Sequence, residues 1–346
     1  MSIQCTIKKD FGDFSLNINL CAGNEVMGLL GPSGCGKSMT LKCIAGVVKP
    51  DDGRIVLDGK VLFDHATHTN LAPQSRRVGF LFQNYALFPH MTVRDNIRMG
   101  ARRERKTARG EKHINDIMER FEIAALANHY PAQLSGGQQQ RTALARILVS
   151  EPEILLLDEP FSALDTHLRF RLERELRAVT RQFGKTVLLV SHDRDEIFRM
   201  ADRIAIMNKG RIDVCGDKAQ VFQNPSTCQA AILTGCKNIS ACCTNGPRSL
   251  YATDWGISLE TASDPSGFEA VGVRMHDVLY GEGENAHRFE VLEEIENPFS
   301  VTVMVRPEGH SAAIPLGWEA DKALWQAVRA KVVTLHIPKE HVMLLH

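Results

Sequence analysis

The sequence lacks several features that would decide its class at once. Only 6% of its 346 residues are aromatic, and its nine cysteines form neither a CxxC pair nor a Cys/His cluster with zinc spacing. A disulfide scaffold and a zinc module are therefore excluded, and we expect reduced thiols. No apolar run approaches the roughly 20 residues that cross a bilayer, and the N-terminus has no basic region followed by an apolar one. We expect a chain that is neither secreted nor membrane-spanning.

The formal net charge is zero, because 41 basic residues balance 41 acidic ones. This balance argues against nucleic acid as the main partner. The balance conceals a division along the chain. Residues 236–346 contain 9 Lys and Arg against 15 Asp and Glu, which leaves 32 against 26 in the residues before them. The difference in charge, together with the length, predicts two domains.

Hydrophobic patterning predicts an α/β fold followed by a β-rich segment. Short apolar runs at 26–30, 154–157 and 187–190 each precede a turn and a helical pattern, which is typical of parallel strands with crossover helices. The clearest helix is predicted over 168–183 and ends at Gly184. Past Gly235, short alternating strands between Gly, Pro and Asn predict a small antiparallel barrel or sandwich.

Residues 31–38, GPSGCGKS, match the phosphate-loop pattern G-x-x-x-x-G-K-[ST] between an apolar run and a helical segment. Glycines are needed because backbone N–H groups must turn towards phosphate oxygens at a helix N-terminus. Lys37 would give charge to the terminal phosphates, and Ser38 a hydroxyl to Mg²⁺. The candidate nucleotide-binding residues of this segment are Gly31, Ser33, Gly34, Cys35, Gly36, Lys37, Ser38 and Met39.

Cys35 has two interpretations. Lys37 and the helix N-terminus could lower the pKa of its thiol and make it reactive, or a small residue could simply fill this loop position.

Two further segments carry candidate chemistry. The buried strand at 154–157 ends in Asp158 and Glu159, where a parallel sheet binds its ligands. Asp158 could hold Mg²⁺, and Glu159 could polarise an attacking water. In Leu134–Gln138, LSGGQ, Ser135 and Gln138 predict a helix capping box. The two glycines between them are unfavourable in a helix, so we expect that a close backbone approach, as to a phosphate, requires them.

GPSGCGKS and LSGGQ together resemble the nucleotide-binding subunit of ATP-binding cassette (ABC) transporters, over about residues 1–230. The resemblance implies an α/β P-loop cassette at 1–235, with a mixed sheet, helices and a helical subdomain at about 84–150. The segment 236–346 is similar to the small all-β, OB-like regulatory barrel that follows some importer cassettes.

The resemblance also assigns roles to single residues. Gln83 corresponds to the Q-loop, Asp165 to the D-loop and His192 to the switch histidine. It implies Glu159 as general base, with His192 and Gln83 as the other catalytic residues. Phe11 is the candidate for the aromatic that stacks on adenine, because Phe14 belongs to an alternating strand.

The implied cofactor is Mg²⁺ with ATP, and the implied metal ligands are Ser38, Gln83 and Asp158. In this family the phosphate loop and LSGGQ of one subunit lie too far apart to share a nucleotide. A homodimer is therefore implied, in which the second copy contributes residues to each nucleotide. Those residues are Ser135, Gly136, Gly137 and Gln138.

The other implied partners are two integral membrane permease subunits and a periplasmic or extracellular solute-binding protein. Nucleic acid is not among the implied partners. The implied location is peripheral, on the cytoplasmic face of the cell membrane. Length and the Phe88–Arg94 segment favour molybdate by resemblance. Sulfate or thiosulfate, ferric iron, a sugar or a polyamine are the alternatives, and a soluble cassette ATPase of DNA repair or translation is a further one. The C-terminal domain could also bind the transported oxyanion as a sensor.

Overall fold

The computed structural model describes residues 2–101, 107–162 and 166–346. The chain divides into two compact units, Met1–Lys218 and Ala219–His346. Within the described ranges, no helix combines the length and the apolar composition that crossing a bilayer requires.

The first unit contains two sheets. The first sheet is antiparallel, with the strand order β2-β1-β4-β5-β6. Its strands are β1 (Ile3–Asp10), β2 (Ser15–Ala22), β4 (Asp52–Leu57), β5 (Lys60–Asp64) and β6 (Thr69–Asn70). The second sheet has the order β11-β10-β3-β9-β8-β7 and is parallel except for β11. Its strands are β3 (Val26–Leu30), β7 (Val78–Leu81), β8 (Ile154–Asp158), β9 (Val187–Ser191), β10 (Arg203–Asn208) and β11 (Arg211–Asp217).

Helices connect and cover these strands. They are α1 (Lys37–Ala45), α2 (Val93–Gly100), α3 (Ala108–Arg120), α4 (Gly136–Leu148), α5 (Thr166–Phe183) and α6 (Arg194–Met200). Helices α2 to α4 lie between β7 and β8 in the chain, within the segment predicted as a helical subdomain. The three buried strands predicted from apolar runs are β3, β8 and β9, and every residue in them is buried.

The helix predicted over 168–183 is confirmed as α5, with Gly184 at a positive φ of 62° just after it. Asp58 and Gly59 form the hairpin turn between β4 and β5, and both have positive φ.

The second unit is rich in antiparallel strands. One sheet has the order β14-β13-β12-β15-β21, and the other β16-β20-β17-β18-β19. The strands are β12 (Asn238–Gly246), β13 (Ser249–Ala252), β14 (Ile257–Glu260), β15 (Ala270–Val273), β16 (Leu279–Tyr280), β17 (His287–Glu296), β18 (Ser300–Pro307), β19 (Leu316–Asp321), β20 (Val332–His336) and β21 (Met343–Leu345). Both sheets contribute to one apolar core that contains Trp255, Trp318 and Trp325. This arrangement agrees with the predicted small all-β, OB-like domain.

Three helices also belong to this part of the chain: α7 (Lys218–Gln223), α8 (Cys228–Leu233) and α9 (Lys322–Val328). The unit begins at Ala219, whereas the sequence places the domain boundary between residues 235 and 236. Hydrogen bonds account for the difference. Arg274 donates to the carbonyls of Phe222 and Thr234, and His346 exchanges backbone hydrogen bonds with Ser226 and Cys228. The segment with α8 is thereby attached to the β-rich unit.

Arg76 fixes the C-terminal end of α1 in the first unit. Its side chain is 1% exposed. It donates to the carbonyls of Cys43 and Ile44 at 2.9 and 2.8 Å, and also to Leu71 O and Asn70 Oδ1 at 2.8 Å each. A cation at this end of a helix satisfies carbonyls that have no partner within the helix and also interacts favourably with the helix dipole.

We expect Arg76→Leu to lower the free energy of unfolding of the first unit by about 3 kcal/mol, because buried carbonyls lose their donors. Urea unfolding followed by far-ultraviolet circular dichroism measures this change. The unfolding midpoint followed by tryptophan fluorescence should not shift, because all three tryptophans lie in the second unit.

The matched control is Arg77→Leu, at the next residue. Arg77 is 48% exposed and forms a surface ion pair with Glu153, so the expected loss is below about 1 kcal/mol. Equal shifts of the dichroism transition in both variants would contradict a capping role for Arg76.

Candidate nucleotide site

The predicted phosphate loop connects β3 to α1. Gly34 and Gly36 have φ values of 80° and 103°, which only glycine adopts without strain. A Cβ at Gly36 would also lie 2.6 Å from the Leu16 side chain. The loop therefore requires glycine at residue 36 for both backbone and packing reasons, and α1 begins directly after it with no acidic residue in its first turn. Such a helix start favours an anion.

Lys37 is 5% exposed, and its ammonium group lies inside the turn of the loop. It donates to Gly31 O at 2.7 Å and to Pro32 O at 3.0 Å. Ser38, the next residue, donates from Oγ to Asp158 Oδ1 at 2.6 Å. At the start of α1, the Lys37 side chain thus points to the loop and the Ser38 side chain points to the end of β8.

Asp158 is the last residue of β8 and is 6% exposed. Burial raises the pKa of its carboxyl, while the hydrogen bond from Ser38 acts in the opposite direction. A hydroxyl and a carboxylate at 2.6 Å form a set of hard oxygen donors of the kind that Mg²⁺ prefers.

Glu159 lies where two further predicted residues converge. Gln83 Nε2 donates to Glu159 Oε2 at 3.2 Å, and His192 Nδ1 lies 3.3 Å from Oε1. These contacts join the residues that follow β7, β8 and β9. Glu159 itself has a positive φ of 45°, an uncommon conformation for a residue with a side chain. The structure therefore brings the three predicted catalytic residues together.

The LSGGQ segment begins α4. Both hydrogen bonds of the predicted capping box are present: Ser135 N donates to Gln138 Oε1 at 2.9 Å, and Gln138 N to Ser135 Oγ at 3.4 Å. A Cβ at Gly137 would lie 3.3 Å from the Leu172 side chain of α5. Packing against α5 thus gives one reason for this glycine that the sequence did not suggest. Within the described ranges, no hydrogen bond joins residues 134–138 to the phosphate loop, Glu159 or His192.

The remaining predicted residues fall in different places. Met39 is partly buried on α1, Gly136 is the first residue of α4, and Asp165 lies outside the described residues. The Cys35 thiol is 4% exposed, and burial raises its pKa despite the opposing charge of Lys37. The interpretation of Cys35 as a thiol with a lowered pKa is therefore wrong, because desolvation outweighs the nearby ammonium.

A cavity of about 500 Å³ adjoins the phosphate loop. Phe14 lines it and Phe11 does not. The Phe11 ring is 40% exposed and stacks on Phe14, with 6.2 Å between ring centroids. The sequence missed Asn208 and Lys209 at this cavity because Asn208 ends β10 and Lys209 follows it, and the sequence did not predict this strand. The cavity lining consists of Asp13, Phe14, Ser15, Pro32, Ser33, Gly34, Cys35, Asn208 and Lys209.

Comparison with known proteins agrees with this geometry. Residues 14–162 match the family described as ABC transporter. The chain is 46% identical over 237 residues to the sulfate/thiosulfate import ATP-binding protein CysA 1 of Chromobacterium violaceum, covering 66% of this chain and 64% of that protein. It is 37% identical over 321 residues to the spermidine/putrescine import ATP-binding protein PotA of Rubrobacter xylanophilus, covering 88% and 83%.

The chain is also similar to solved structures of ATP-binding cassettes. The dimeric, post-hydrolysis structure of the ATP-binding cassette MJ0796 bound to ADP and Pi is 30% identical, with a TM-score of 0.53, and covers 63% of this chain and 99% of that one. A nucleotide-free cassette from an ABC transporter shares the fold at 24% identity, with a TM-score of 0.55 and coverage of 63% and 92%.

The fold and the site define a P-loop ATP-binding cassette. The chain belongs to the ATP-binding proteins of ABC transporters. It spans about two thirds or less of the length of the first relatives that it matches, for example 64% of the Chromobacterium protein and 57% of a spermidine/putrescine import ATP-binding protein PotA from Thermobifida fusca.

Proposed function

We propose that this chain binds and hydrolyses ATP with Mg²⁺ to power the import of a small solute through separate membrane subunits. The observation that carries the proposal is the contact of Glu159 with both Gln83 and His192, next to the phosphate loop. In this proposal the loop amides and Lys37 bind the phosphates, and Ser38, Asp158 and Gln83 are the metal ligands. Mg²⁺ would neutralise charge on the phosphate oxygens.

Glu159 is the proposed general base. Each of its carboxylate oxygens already has one neighbour, Gln83 or His192, and each retains a further lone pair that can accept a proton from water. His192 and Gln83 would hold the carboxylate in one orientation, and His192 would also contact the terminal phosphate.

A second copy of the chain would complete each pocket with residues 135–138. The MJ0796 cassette is described as dimeric, which supports this arrangement. The proposed partners are a homodimer of this chain, two membrane permease subunits and a solute-binding protein outside the membrane. The proposed location is the cytoplasmic face of the membrane.

We expect Glu159→Gln to lower ATP turnover by a factor of at least about 100, because the amide cannot accept the proton. ATP binding should persist, so size-exclusion chromatography with ATP should show more dimer than for the wild-type chain. Lys37→Ala should instead lose ATP binding itself.

Glu153→Gln is the matched control. Glu153 lies just before β8, at the other end of the strand, where it pairs with Lys185 and Arg77. Its replacement should leave turnover within about twofold of wild type, as for other surface ion pairs. Unchanged turnover in Glu159→Gln would remove Glu159 from the proposed role.

Sharing of pockets between two copies is tested by mixing two inactive variants, Lys37→Ala and Ser135→Arg. In a mixed dimer one pocket carries both defects and the other carries none. Mixing equal amounts should restore roughly a quarter of wild-type turnover, because half of the dimers are mixed and each has one intact pocket. No recovery after exchange of subunits would count against the shared pocket.

Sulfate or thiosulfate is the proposed solute, because the Chromobacterium relative with 46% identity is named for their import. A polyamine is the second candidate, since the Rubrobacter relative matches 88% of the chain, including part of the second unit. The molybdate favoured by the sequence receives no support from these names.

Uptake of radiolabelled sulfate, molybdate and spermidine, compared between cells with the wild-type chain and cells with Lys37→Ala, separates these candidates. We expect the variant to lose sulfate uptake, because ATP binding drives the transport step. Loss of spermidine uptake with normal sulfate uptake would identify the polyamine, and not the oxyanion, as the transported solute.

A further inference from the structure

One buried carboxyl near the site has no part in the proposed mechanism. Glu196 lies in the first turn of α6 and is 4% exposed. Its Oε2 accepts a hydrogen bond from Ser191 Oγ at 3.0 Å, while its Oε1 is buried without a partner among the described residues. A buried carboxyl with one unsatisfied oxygen costs stability, so its presence needs a reason.

The Ser191 hydroxyl connects Glu196 to the loop that carries His192. It donates to Glu196 and accepts from Asp193 N at 3.0 Å. Asp193 in turn caps α6, because its Oδ1 accepts from the backbone N–H of Asp195 and Glu196 at 2.9 and 3.0 Å. The residues on both sides of His192 are therefore held by one hydrogen-bond network.

One residue of this network belongs to the parallel sheet. Ser191 is the last residue of β9 and pairs with Leu30, directly before the phosphate loop. His192 extends from the network to Glu159, with 3.3 Å between Nδ1 and Oε1. A change in the backbone of 191–193 would therefore move the imidazole relative to the proposed base.

We propose that Glu196 is a positioning residue for His192, which it orients through the Ser191 hydroxyl and the cap of α6. The inference rests on the proposed ATPase function and assigns a role to a residue that lies outside the nucleotide motifs.

The charge state of Glu196 provides a distinctive readout. Burial is the main cause that raises the pKa of Glu196, to about 8, and the charges of Asp193 and Glu173 raise it further. The hydrogen bond from Ser191 and the charge of Arg169 oppose them, and Arg199 on α6 pairs with Glu173. The carboxyl is therefore neutral at pH 7 and becomes charged, next to two other carboxylates, above pH 8.

The experiment measures kcat, KM and equilibrium ATP binding of the full chain with Mg²⁺. Glu196→Met keeps the size of the side chain but removes the acceptor, and should lower kcat by about tenfold or more because the imidazole loses its orientation. ATP binding should stay within about twofold, since in the part of the chain that the structure describes no hydrogen bond of Glu196 involves the phosphate loop. In a His192→Ala background the same substitution should have no further effect on kcat.

Glu196→Gln keeps an acceptor for Ser191 but cannot ionise. Its kcat at pH 7 should match that of wild type, and above pH 8 the wild-type kcat should fall relative to that of the Gln variant. Coinciding pH profiles would overturn the proposal, even if the Met variant does not fold.

Glu173→Met is the matched control, because Glu173 is also 4% exposed but pairs only with Arg199 among the described residues. It should lower the melting temperature and leave kcat unchanged at pH 6, where the Glu196 carboxyl stays neutral because burial, the largest cause of its raised pKa, remains. Equal kcat losses in the two Met variants, or an additive loss with His192→Ala, would show a general structural effect and refute the positioning role. A wild-type chain without ATPase activity would instead refute the proposed function.

Discussion

Parallel pairing of four neighbouring strands is the constraint on which the site depends. Leu30 pairs with Ser191, Asp158 with Val190, and Leu81 with Leu157, so β3, β9, β8 and β7 end at the same edge of the sheet. The predicted phosphate loop, Glu159, His192 and Gln83 follow these ends, and Asp158 is the last residue of β8. Because crossover connections give parallel strands a common direction, residues far apart in the chain meet there. A shift of one strand by one residue would separate them.

Much of this edge could be predicted from the sequence, because apolar runs and glycine patterns are local signals. The runs gave β3, β8 and β9, and the motifs placed Lys37, Ser38, Asp158 and Glu159 at the strand ends. Recognition of Gln83 and His192 needed the family resemblance, since a single Gln or His carries no local signature. The contact of both with Glu159 depends on strand order, which no local pattern contains.

Tertiary interactions explain what the sequence did not reveal. The roles of Arg76 and Glu196 depend on partners that only the fold brings together, such as the carbonyls at the end of α1. The choice of Phe11 over Phe14 followed from strand alternation, but the structure places the Phe14 ring beside Gly36, at the cavity next to the loop. For Cys35 the sequence showed the nearby charge of Lys37 but could not show the burial that outweighs it.

The backbone at Glu159 shows how the sheet and the site depend on each other. A left-handed conformation costs a residue with a side chain about 1 kcal/mol or more. Here it is held in place because Glu159 N donates to Val190 O at 3.0 Å, which continues the pairing of β8 with β9 by one residue beyond the strand. The chain then turns away and leaves the carboxylate between Gln83 and His192. Since Val190 precedes Ser191, the strand that holds the proposed base, Glu159, also carries the hydrogen-bond network on both sides of His192. The orientation of both proposed catalytic groups therefore depends on β9.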